Sequence, residues 1–162
     1  MIPRDSTHES KNQAWSLASF SIFSGTLTHE EISAAIQVKP TRTHSKGQPR
    51  GFRNKDGSIS QSIVWTDSAW HLESPLGDDR NLAEHIKWLL DAIEPKLDIV
   101  RTLSAEGNRV RLFCGVASAS GQGGFTLDSD TLLRISRLGI SLSLDLYPPG
   151  ASEEIPDEAE AG

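Results

Sequence analysis

Hydrophobic and polar positions alternate most regularly near the end of this chain. Ile140, Leu142, Leu144 and Leu146 fall on one side and Ser141, Ser143, Asp145 and Tyr147 on the other. That period of two predicts a strand in a sheet covered on one face. Trp15 to Ser24 carries Phe20, Ile22 and Phe23 and reads as a first strand. Arg109 to Val116 sets Val110, Leu112, Cys114 and Val116 on one side and reads as another. Ile63 to Thr66 and Ala69 to Ser74 read as two further strands anchored by Trp65 and Trp70. A tight turn at Asp67 and Ser68 would make them a hairpin; the alternative is one bent strand.

Helical spacing appears between these strands. Thr28 and Glu31 form a capping box, in which each side chain bonds the other residue's backbone N–H. Ile32, Ala35 and Ile36 follow on one face, and Pro40 disfavours helix at Lys39. Asn81 and Glu84 open a second box, followed by Leu82, Ile86, Leu89, Leu90, Ile93, Leu97 and Val100. Pro95 should kink or split that helix, because its ring displaces a backbone hydrogen bond. Gly107 is placed to cap its end. A short helix over 129–138 ends at Gly139. Residues 40–61 hold Gly47, Pro49, Gly51 and Gly57 without an apolar period, and read as a long connection.

The expected fold class is therefore α+β: a mostly antiparallel sheet with helices on one face. The element order is β-α-β-β-α-β, the order of ferredoxin-like folds, with a further α-β. The 162 residues suffice for one domain, placed at 14–149. Residues 1–13 and 150–162 are polar, lack an apolar period and are expected to be disordered tails. Nothing resembles a signal peptide or a span of about 18 apolar residues, so a cytoplasmic address without a membrane is expected.

Charge changes this picture in one place. Between Lys39 and Asp56, six bases face one acid, a local charge of +5 that leaves −11 for the rest of a chain totalling −6. The result is a basic segment on an acidic protein, which disfavours nucleic acid as a partner. The single cysteine, Cys114, lies in an apolar run and is expected to be a buried thiol. Five scattered histidines give no metal-ligand spacing. No metal or cofactor is expected.

Phe20 to Phe23, the run Pro40 to Gly47, Trp70 to Ser74, the helix of Leu82, His85, Leu89 and Leu90, and the terminal Leu144 to Tyr147 occur in this order. In that combination the chain resembles the bacterial family called domain of unknown function 4279, over about residues 17–147. The resemblance implies domain boundaries but no reaction.

Candidate binding residues cluster in the basic segment. Thr41, Thr43 and Ser45 alternate with Arg42 and Lys46, Gly47 allows close backbone approach, and Arg50 follows. Hydroxyls, backbone N–H groups and cations together suit a phosphate or carboxylate. Trp65 adds an aromatic contact residue, and Asp145 with Tyr147 a polar pair on the last strand. Against these stand plainer roles: a solvated bend, a core tryptophan and ordinary sheet surface. His85 lies on an apolar stripe and reads as a core histidine; His71 reads as a surface residue. No catalytic motif is present. The leading expectation is a non-enzymatic protein–protein interaction module, by analogy a partner-neutralising protein of the immunity type. The alternatives are a domain that binds a small phosphate-bearing anion through residues 39–55, and an uncharacterised enzyme.

Overall fold

Both faces of Trp15–Ser24, strand β1, are buried, and that places it at the centre of the sheet. The computed structural model describes residues 14–53, 58–118, 120 and 124–147; the expected tails lie outside them. β1 is antiparallel to β5 (Ser68–Glu73) and to β6 (Arg109–Ala117). β2 (Arg42–His44) lies antiparallel to β5 at one edge. β7 (Ser141–Tyr147) lies parallel to β6 at the other. The order is β2-β5-β1-β6-β7. Without β7, this is the split βαβ arrangement of ferredoxin-like sheets, with β5 inserted between β1 and β2. β6 to β7 is the added α-β unit.

Helices α1 (His29–Ile36), α2 (Leu82–Ile93), α3 (Leu97–Ala105) and α4 (Ser129–Leu138) pack on the same face of the sheet. The even positions of β1 explain which face. Ala18, Phe20 and Ile22 meet Trp70 and Leu72 of β5 and Val110, Leu112 and Cys114 of β6 in one core. Ile32 and Ile36, Ile86 and Leu89, Val100, and Ile135 close it from the helices. Both capping boxes form. Asp128 accepts from the Thr131 N–H at 2.7 Å to start α4. Pro95 splits α2 from α3 with a 3-10 turn at Glu94–Lys96. Arg134 of α4 ties back through Nε to Glu94 at 2.8 Å and through Nη2 to Asp91 at 2.6 Å. Among the described residues, no helix is long and apolar enough to cross a membrane.

The stretch expected to be one long connection contains strands. It holds β2, β3 (Pro49–Arg53) and the start of β4 (Ile59–Val64). β2 is three residues long, too short to show a period, and the β3–β4 register shifts between Arg50 and Phe52. Such an irregularity erases alternation from the sequence. β4 and β5 are also not a hairpin. β4 pairs with β3 in a separate two-stranded sheet, whereas β5 pairs with β1 and β2.

Candidate functional site

The odd positions of β1 point to the face without helices, where the register lines up a polar grid. Arg42 of β2, His71 of β5, Ser21 of β1 and Arg111 of β6 stand directly across from one another. The adjacent row is His44, Ala69, Phe23 and Arg109. On the other side lie Glu73, Ser19, Phe113 and Ser143. Strands are spaced by about 4.8 Å, so Arg42 and Arg111 start roughly 14 Å apart on one surface.

The centre of this grid is buried. Ser21 is 0% and His71 1% exposed, and Ser21 Oγ lies 2.9 Å from His71 Nδ1. Arg111 is 3% exposed, with its guanidinium 5.1 Å from the Phe23 ring and 5.6 Å from the Phe113 ring. Arg109, at the surface, covers the same Phe23 at 4.4 Å. An arginine over an aromatic face gains from the ring quadrupole. The His71 ring meets Phe23 edge-on at 5.4 Å.

Above β2, a stack continues the cluster outward. Trp65 lies on His44 at 3.7 Å with 14° between the rings, and Arg50 sits over Trp65 at 4.7 Å. His44 is also 5.7 Å from His71. Arg42 pairs with Glu73 at 3.3 Å. Four arginines and two histidines thus meet on one end of the face, or rest against it. The described acids on the face are Glu73, already paired, and Asp145 at the far edge.

Of the residues singled out from sequence, the structure brings together Arg42, Arg50 and Trp65. Thr41 instead braces β5, its N–H donating to the His71 carbonyl at 2.8 Å and its hydroxyl accepting from Glu73 N–H at 2.9 Å. Thr43 stands opposite Trp70, on the helix side. Lys46 donates through Nζ to the Gly25 carbonyl at 2.9 Å. Gly47 turns the chain with φ +81 and donates to the Trp65 carbonyl. Asp145 and Tyr147 share the face but lie diagonally across from Arg42; Tyr147 packs on Trp15 at 4.9 Å. Burial, with Asp145 second, raises the Tyr147 hydroxyl above its ordinary value.

His71 is buried where the sequence suggested surface, because the face opposite the helices is covered at its centre too. His44, Ser21, Phe23, Arg109 and Arg111 were missed. The available signal was the pair Arg109 and Arg111 alternating with Val110 and Leu112, which a strand must place on the face shared with Ser21. His85 is a core histidine, 1% exposed and 3.0 Å from Ser74 Oγ. Cys114 is a buried thiol whose pKa burial pushes up to about 12, far from a nucleophile's range. Among the described residues, no group of three or more His, Cys, Asp or Glu is placed to hold a metal ion.

A family model described as domain of unknown function (DUF4279) matches residues 12–149, and the chain belongs to that family. No curated protein and no solved structure matches it.

Proposed function

We propose that this member of the DUF4279 family is a binding domain for a small anion, a carboxylate- or phosphate-bearing molecule with a flat or apolar portion. One observation carries the reading. The row Arg42, His71, Ser21 and Arg111, flanked by His44 and Arg109, runs beside the Arg50–Trp65 stack. Guanidinium groups held on aromatic rings supply planar, directed N–H donors to an oxyanion. The half-buried Trp65 supplies apolar contact for the rest of the ligand. Ser21 and His71 resemble a hydroxyl–imidazole pair, but both are fully buried, which fits a supporting role beneath the arginines rather than a nucleophile. The ligand approaches through the half-buried Arg42 and Arg50 and the exposed Arg109.

Thermal melting of the full chain against inorganic phosphate, nucleoside monophosphates and aromatic carboxylates tests this. A ligand that binds the native state raises the melting temperature with concentration. Arg109→Ala and Arg50→Ala should each abolish the shift while melting near the parent. A blank panel, or a shift that survives both variants, rejects the reading.

The interaction-module reading is favoured by a separate feature, the −11 carried outside residues 39–56, which suits a basic protein partner. Salt-sensitive capture of a basic protein, together with a blank ligand panel, would place it first.

A further inference from the structure

We infer that β7 is a pairing edge at which a second copy of this chain docks antiparallel about a twofold axis through Leu144. This inference stands apart from the anion site, which lies on the face opposite the β7 leucines.

Among the described residues, β7 has a single strand neighbour, β6, so its outer backbone groups face outward. Its row of leucines runs out from under the helices: Leu144 is 44% and Leu146 75% exposed. Natural edge strands are protected by lysine, proline, bulges or shortness. Ser141–Tyr147 holds no Lys, Arg, Pro or Gly, pairs with β6 in unbroken register and is seven residues long. The opposite edge, β2, has three residues and bears Arg42. Among the described residues, β7 is therefore the less protected edge of this sheet.

The sequence of β7 is self-complementary in one register. With Leu144 on the axis, Leu142 faces the partner copy's residue 146, and Asp145 faces its residue 143, a serine. The strand's single charge never meets itself. Moving the axis to residue 145 would oppose two carboxylates, and directly opposed like charges destabilise a strand pair. The chain continues past Tyr147 with five acids, Glu153, Glu154, Asp157, Glu158 and Glu160. In antiparallel pairing the two acidic segments follow opposite ends of the strand pair, whereas in parallel pairing they would follow the same end. A second copy thus satisfies the hydrogen bonds, the leucine row and the charges together.

Sedimentation velocity of the full chain over a roughly hundredfold concentration range tests the pairing, since association follows mass action. A monomer–dimer equilibrium is expected. Leu146→Lys, at an exposed site, should melt like the parent at concentrations where the parent is monomeric, and raise the dimer dissociation constant at least about tenfold. Cysteine cross-linking tests the register. Opposed residues of an antiparallel pair have Cα atoms about 4.5–5.5 Å apart, within disulfide reach. Leu144→Cys should cross-link two copies on mild oxidation, and Leu142→Cys alone should not. The double variant Leu142→Cys with Leu146→Cys should. Buried Cys114 provides a silent background. A parent that stays monomeric throughout, a dimer indifferent to Leu146→Lys, or a β7 edge that captures only a different protein overturns the inference.

Discussion

Ser21 Oγ lies 2.9 Å from Nδ1 of His71, in the middle of the sheet and out of reach of solvent. Register makes the contact unavoidable, because these residues stand opposite each other on β1 and β5. Removing the hydroxyl would withdraw a buried hydrogen bond from the ring. Ser21→Ala should therefore cost about 1–3 kcal/mol, the range for a buried polar group deprived of a partner. Urea unfolding measures it; a loss under about 0.5 kcal/mol would mean another group takes over the ring.

His85 gives the fold a pH dependence of known sign. Burial, the largest effect, lowers its pKa below the ordinary 6.5; Glu84 and the carbonyls of Gly77 and Arg80 oppose the shift. Between the lowered folded pKa and the ordinary 6.5, the unfolded chain then binds more protons than the native one. Stability from neutral His85 is present above that value and is lost as pH falls toward the folded pKa. The slope from this group is at most about 1.4 kcal/mol per pH unit. His85→Gln should flatten the fall in unfolding free energy between neutral and mildly acidic pH. An unchanged slope would mean other groups set the acid sensitivity.

The helix side of this fold was legible because its signals are local and redundant. Capping boxes at Thr28 and Asn81, the break at Pro95 and the stop at Gly139 each act within a few residues. The long alternations of β6 and β7 did the same for two strands. The candidate site was less legible because it depends on register. Arg42, His71, Ser21 and Arg111 come from four strands spread over most of the chain, and only pairing makes them a row. His71 looked like surface because alternation identifies a face but not whether that face is covered. Arg42, Arg50 and Trp65 were found through their local charge and aromatic character, although β2 and β3 were not.

The two sides of the molecule should differ sharply in tolerance. Trp70 and Leu89 are fully buried between sheet and helices, 0% and 1% exposed. Alanine at either should cost about 2–5 kcal/mol by emptying a packed site. Leu132, exposed on α4, should change stability by no more than about 0.5 kcal/mol on substitution by serine. Chemical denaturation of the three variants checks the contrast. If Trp70→Ala melted like the parent, the core assignment of β5 would be wrong.

Gly115 sits in β6 without a positive φ, so space rather than backbone conformation explains a glycine there. A Cβ at this position would meet Trp15 Cζ3 at 3.2 Å and Leu17 Cγ at 3.3 Å. Both contacts belong to the neighbouring strand: Leu17 stands opposite Gly115, and Trp15 opposite Ala117. Trp15 has little room to yield, since its other side rests on Tyr147 at 4.9 Å. Gly115→Val should consequently cost about 1–3 kcal/mol through overpacking. If crowding is the cause, trimming the neighbour should restore part of the loss. The double variant Gly115→Val with Leu17→Ala should then be more stable than the sum of the single changes predicts, by about 0.5 kcal/mol or more. Additive losses in that cycle would show that the valine acts elsewhere, and that this end of the sheet is not held by the contact between Trp15, Leu17 and the bare backbone of Gly115.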